Sequence, residues 1–176
     1  LGFQNERIHF MTKSGELTVS SEGKYYSMNF PVNPPGKTDP NPLLLEALGL
    51  ENAEMFFYTD YRVIVIIEEI VKSLSPDFNR LKEVKTRGVI VTAESDDYDF
   101  ISRFFAPAFG INEDPVTGSA HTLLSPYWSD KLSKNNLRAA QLSKRGGEII
   151  CNLIDDRVEL KGKAATYMKG IIFTED

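Results

Sequence analysis

The stretch with the most chemical potential is Glu113-Asp114-Pro115-Val116-Thr117-Gly118-Ser119-Ala120-His121, where a proline, a glycine and small residues separate a predicted strand from an apolar helix. Such a junction exposes backbone donors. The amino end of a helix leaves several N–H groups without internal partners, and the aligned peptide dipoles make that end partly positive. The amides at Gly118, Ser119 and Ala120 are therefore candidates to hold a carboxylate or an enolate oxygen. Gly118 would let a ligand approach the backbone closely. Asp114 can accept a hydrogen bond from a ligand amine or hydroxyl, or take part in proton transfer if burial raises its pKa. Asp114 is thus the candidate catalytic residue, and Asp114, Thr117, Gly118, Ser119 and His121 are the candidate substrate-binding residues. The same residues also suit plain structural roles: Thr117 or Ser119 as an N-cap, Asp114-Pro115 as a turn, Gly118 as a packing requirement.

Other chemistries find less support. His121 follows Ser119 by two positions, which face different sides of a helix, so a Ser/His nucleophilic pair is disfavoured. A histidine beside an apolar stripe also suits a hydrogen-bonded core position. Cys151 sits in the apolar run "GEIICNLI", where a cysteine behaves as a small buried hydrophobe. The acidic pairs Glu68-Glu69, Asp96-Asp97 and Asp155-Asp156 fall at predicted turns or element ends, where solvated carboxylates are expected. No glycine-rich phosphate loop ending in Lys and Ser/Thr occurs. One cysteine and two histidines fall short of the usual zinc clusters, so no metal and no cofactor is expected.

A net charge of −5 argues against a sequence-independent grip on nucleic acid, and no apolar run approaches the roughly 18 residues of a membrane span. The expected partner is a small carboxylate-bearing metabolite, with no nucleic acid and no membrane, and a homodimer is possible. A single cysteine and no secretory leader point to the cytoplasm. The first residue is Leu1 rather than methionine, and residues 7–13 already alternate as a strand without a preceding partner. A piece of something longer is expected.

These residues need elements to hold them. "ERIHFMTK", "ELTVSSE" and "KYYSMNF" read as a three-strand meander with turns at Ser14-Gly15 and Glu22-Gly23. Five prolines between Pro31 and Pro42 make the best boundary in the chain. A short helix over 43–50 ends at Gly49. Two strands meet near Asp60, a helical rhythm broken by Pro76 follows, and "RGVIVTAE" and "YDFISRFF" are strands around Asp96-Asp97. From Thr117 to about Leu132, Ala120, Leu123, Leu124, Tyr127, Trp128 and Leu132 recur at three and four, which predicts a buried central helix. Pro126 predicts a kink or short break in it. "LRAAQLS", "GEIICNLI", "RVELKG" and "AATYMKGIIF" read as closing strands.

The string "YDFISRFFAPAFGINEDPVTGSAHTLLSPYWSDKL", followed by "QLSKRGGEI" and "RVELKGKA", closely resembles the carboxyl-terminal domain of PhzF-like (phenazine biosynthesis) proteins. "RIHFMTKSGELTVS" resembles the last strands of that family's amino-terminal domain. The resemblance implies an α+β fold similar to diaminopimelate epimerase, in which each of two domains curls a mixed sheet around a central helix. The implied division is residues 1–33 as remnant strands of the first domain, 34–42 as a linker and 43–176 as the second domain. It further implies a cofactor-independent isomerase or epimerase acting by proton transfer on a small carboxylate, with the site in the interdomain cleft. Asp114 and Ser119 match ligand-contacting positions, and the Gly118 and Ser119 amides would bind substrate oxygens. The family's proton-carrying glutamate would lie upstream of Leu1, so the chain alone is expected to show little or no activity. The alternatives are a non-catalytic small-anion-binding or interaction protein, and a stand-alone domain whose open face is covered by a partner or a second copy.

Overall fold

The structure is a computed structural model that describes residues 7–13, 15–165, 167, 168, 170 and 171. In chain order it contains β1 (Arg7–Thr12), β2 (Gly15–Glu22), β3 (Tyr25–Pro31), β4 (Gly36–Thr38), α1 (Pro42–Leu48), β5 (Glu54–Tyr58) and β6 (Tyr61–Val65). There follow α2 (Glu68–Ser73), α3 (Phe78–Leu81), β7 (Gly88–Glu94), β8 (Phe100–Phe105), α4 (Gly118–Leu132), β9 (Asn136–Gln141), β10 (Gly147–Ile154) and β11 (Arg157–Lys163). All described strands join one sheet in the order β1-β2-β3-β11-β10-β9-β8-β7-β6-β5-β4. Neighbours are antiparallel except at β6/β7 and β8/β9. A parallel pair needs a crossover, and here the crossovers are helical: α2 and α3 join β6 to β7, and α4 joins β8 to β9. The mixed sheet expected from the sequence is the one observed.

The two crossovers lie on opposite faces. Along β8, Phe100 and Phe104 belong to the core under α4, whereas Ile101 and Phe105 belong to the core under α1, α2 and α3. Strands covered on both faces read as continuous apolar runs, which explains "GVIV" in β7, where six of the seven residues are buried. In β10 and β11 only the α4 side is dry, so buried Ile149, Cys151, Val158 and Leu160 alternate with less buried residues, which are polar in β11 and include Ile150 in β10. That same face continues through the register into Met28 and Val19 and on to Ile8, where it lies open. β3 pairs with β11 over seven residue pairs, so the amino-terminal strands extend the sheet formed by the later residues.

α4 runs unbroken through Pro126, contrary to the break expected from sequence. Proline at this position removes the N–H that would reach the Thr122 carbonyl. That carbonyl instead accepts the Asn33 N–H at 2.9 Å, and Asn33 Nδ2 donates to Thr122 Oγ1 at 3.0 Å. The proline-rich segment thus supplies the donor that the helix lacks. It also contributes β4, which among the described residues pairs only with β5, at the end of the sheet, where prolines can flank a strand.

One closing strand was misplaced. Among the described residues from Ala164 to Ile171 there is no strand, while Thr166, Lys169 and 172–173 of that expectation lie outside the described residues, as do Glu6 and Ser14. No helix among the described residues is long and apolar enough to cross a membrane.

Candidate functional site

After β8 the chain makes a turn of 3-10 helix, Pro107–Phe109, and Gly110 at φ 82° reverses it. Paired backbone bonds between Ala106 and Ile111 close the reversal, and the Asp114 N–H then donates to the Phe104 carbonyl at 3.0 Å. The returning segment is pinned a second time through Glu113. Arg103 grips its carboxylate with two nitrogens, at 2.6 and 3.1 Å, and donates its remaining arm to the Leu74 and Val71 carbonyls near the end of α2. Bidentate charge-assisted bonds of this kind fix geometry as well as adding energy. Glu113 is thereby committed to structure.

Asp114 and Thr117 form the next layer. The Thr117 hydroxyl donates to an Asp114 carboxylate oxygen, and the Thr117 N–H donates to Gln141 Oε1 at 2.8 Å. Gln141 Nε2 donates to the Asp114 carbonyl at 2.8 Å and to Thr117 Oγ1 at 3.0 Å. Thr117 occupies the N-cap position with extended backbone, yet its hydroxyl does not cap the helix because it is turned to Asp114. The first amides of α4, at Gly118, Ser119 and Ala120, consequently have no side-chain cap. Gly118 is half-buried and Ser119 exposed, and a Cβ built on Gly118 meets nothing within 4 Å among the described residues. Open space therefore stands in front of an uncapped, partly positive helix end. Ser119 Oγ lies 3.3 Å from the phenol oxygen of Tyr61, a β6 residue whose ring carries the Arg87 guanidinium 5.6 Å above it.

The structure thus brings Asp114, Thr117, Gly118 and Ser119 together. His121 lies on the inner side of the helix: its ring is fully buried, 5.9 Å from the Phe100 ring, with Nδ1 2.9 Å from the Thr117 carbonyl and Nε2 without a partner among the described residues. Burial pushes its pKa down to about 4 against the opposing pull of the Thr117 carbonyl, so the imidazole is neutral near pH 7. It packs the base of the helix end from inside. Burial likewise pushes the Cys151 thiol up to about 12, which keeps it protonated. Among the described residues no group of three or more His, Cys, Asp or Glu side chains could hold a metal ion.

Three contributors escape sequence reasoning. Tyr61 reads as an ordinary strand aromatic. Ser143 donates to the Pro115 carbonyl at 3.1 Å and so fastens the β9–β10 connection, with its exposed Lys144 and Arg145, against the site loop. Gln141 did leave a faint trace, since it ends the inward series Leu137, Ala139, Gln141 and a buried amide must find partners. Its partners, however, lie 24 and 27 positions away.

A mixed sheet curled on a buried central helix defines the class as the diaminopimelate epimerase-like α+β fold. The chain belongs to the family described as phenazine biosynthesis-like protein, whose sequence profile matches residues 1–170. An uncharacterized isomerase of Pseudomonas aeruginosa is 48% identical over 165 residues, covering 94% of this chain and 64% of that protein. A mouse phenazine biosynthesis-like domain-containing protein is 36% identical, covering 96% of this chain and 66% of its own length. The chain therefore spans about 64% of the bacterial isomerase's length. Among solved structures, a PhzF-family protein of Enterococcus faecalis superposes with a TM-score of 0.88 at 39% identity, covering 98% of this chain and 67% of that one. An epimerase-like protein of Pseudomonas aeruginosa superposes at 0.67 with 16% identity, covering 96% of this chain and 70% of that one, a likeness of fold.

Proposed function

We propose that this chain forms the substrate-holding half of a cofactor-independent isomerase or epimerase that moves a proton on a small carboxylate-bearing metabolite. The observation that carries the reading is the uncapped amino end of α4, with open space before Gly118 and the Asp114 carboxylate held beside it. A substrate carboxylate or developing enolate oxygen docks on the Gly118 and Ser119 amides, where fixed donors stabilise charge without reorganising. Asp114 accepts a hydrogen bond from a neighbouring amine or hydroxyl of the substrate and takes part in proton transfer. The main proton carrier in this reading is a glutamate outside the sequence described. The names of the relatives as isomerases, and the family's profile, support the reaction class.

A screen of small aromatic and amino acids by thermal shift tests the binding half, since a ligand for the folded state raises its stability. Acids that stabilise the native protein but not a Gly118→Pro variant are expected. The absence of any stabilising acid would sink the reading. A second reading, a non-catalytic binder of small anions, is favoured by one observation: His121 and Cys151 are both held neutral in the core, so neither offers a charged acid or a thiolate base at the helix end. Solvent-deuterium incorporation separates the two. The isomerase reading expects none from the chain alone and incorporation when an amino-terminal domain of a family member is supplied with it, whereas a binder incorporates none in either form.

A further inference from the structure

Gln141 is fully buried, and its amide joins the Asp114 segment to the sheet. The direction of every bond it makes is fixed by its backbone partners. A backbone N–H can only donate, so Oε1 faces Thr117 N; a carbonyl can only accept, so Nε2 faces the Asp114 oxygen. The second Nε2 proton goes to Thr117 Oγ1. Because Oγ1 is accepting from that side, the one hydroxyl proton of Thr117 must point the other way, to the Asp114 carboxylate. A different orientation of the amide would set two donors or two acceptors against each other in a buried site, which costs the full desolvation of the unpaired groups.

We infer that Gln141 is a positioning residue for the Asp114 site. Its amide polarises the series from β9 through Thr117 to Asp114, so that one carboxylate oxygen is held by the Thr117 hydroxyl and the other faces the ligand as an acceptor. It also withdraws the Thr117 N–H from the helix end, leaving the Gly118, Ser119 and Ala120 amides to meet the ligand anion. The two functions are separable: the helix amides read the ligand's carboxylate, and Gln141, acting through Thr117, sets the readiness of Asp114 to take a donor beside it. This inference rests on the proposed helix-end binding site.

Propionate and lactate form a matched pair for the test, identical in size class and differing in one hydroxyl donor. Titrated into the wild-type protein by NMR, lactate is expected to bind more tightly. Gln141→Glu keeps an acceptor for the Thr117 N–H but has no donor, so the Thr117 hydroxyl turns toward position 141 and leaves Asp114. Lactate then weakens roughly tenfold while propionate changes less than about twofold. Thr117→Val, which deletes the hydroxyl and retains the N–H bond to Gln141, should show the same selective loss and serves if the first variant does not fold. Parallel weakening of both acids, or of neither, would overturn the assignment, because a generic packing role predicts no selectivity for the donor. Hydrogen exchange in the unliganded protein decides the hydrogen-bond series independently of any ligand: the Gln141 side-chain amide protons must exchange far more slowly than those of exposed Asn112. Fast exchange would overturn the inference outright. Wild-type protein that binds neither acid while keeping slow exchange would overturn the binding-site reading and the ligand role of Gln141 with it, leaving the series as structure alone.

Discussion

At the scale of single residues, His121 makes the protein sensitive to acid. Its pKa is near 4 in the folded state and 6.5 as the ordinary value, so the unfolded chain binds the extra proton between those limits. The contribution of His121 is complete above pH 6.5, falls as the pH drops from 6.5 to 4, and levels off below. A shift of that size corresponds to roughly 3 kcal/mol. Urea unfolding of His121→Leu is expected to lose this part of the acid sensitivity: its deficit relative to the wild type should shrink steadily from pH 7 to pH 4. A deficit independent of pH would show that His121 does not titrate on unfolding. Arg103 presents a different case, since its guanidinium satisfies Glu113 and two carbonyls together. Arg103→Met leaves a partly buried carboxylate and the carbonyls unpaired and should cost about 2–4 kcal/mol by denaturant unfolding.

At the scale of elements, a close approach holds the site loop in place and a hydrogen-bonded junction holds α4. A Cβ on Gly147 would come within 2.5 Å of a Val116 methyl, so β10 can pass behind the loop only because residue 147 lacks a side chain. Gly147→Ala is expected to destabilise by about 1–3 kcal/mol through overpacking, and Val116→Ala in the same chain should recover much of it. Additive losses in that double-mutant cycle would count against the contact. The junction between α4 and the proline-rich segment is the hydrogen-bonded one. Asn33 serves the carbonyl that Pro126 leaves free and also bonds Thr122 Oγ1 by its side chain. Asn33→Ala deletes the side-chain bond alone, and a loss of about 1 kcal/mol in thermal or urea unfolding is expected.

At the scale of the whole molecule, stability is graded across the sheet. All six residues of β1 are exposed, whereas six of the seven in β7 are buried between two helical layers. Opening free energies follow burial and contact, so native-state hydrogen exchange should show β1 and β2 opening at low free energy and β7 and β8 only with global unfolding. Equal protection across all eleven strands would contradict this gradient. The site lies at the protected centre, where β8 and β9 are joined by α4. In the proposed reading, placing the helix end on these buried strands keeps its amides fixed, as an anion-holding site requires.

The sequence by itself determined most of the elements, the closing strand over 164–173 and the break at Pro126 excepted. Apolar residues at spacings of two, short continuous apolar runs as in β7, and apolar spacings of three to four marked β1 to β11 apart from the short β4, and α4 from Thr117 to Leu132, because side-chain periodicity is a local property of strand and helix geometry. The motif around Asp114 and Gly118 was also legible, and so was the family, because a long specific string carries both. What only the tertiary structure decided was partnership. Thr117 gave its hydroxyl to Asp114 instead of capping its helix because Gln141 meets it from β9. Pro126 left α4 unbroken because Asn33, 89 positions away from Thr122, supplied the missing donor. His121 entered the core because α4 is buried on more than its apolar stripe. Each outcome turns on a hydrogen bond or a packed surface between distant segments, and periodicity carries no information about which distant group will arrive.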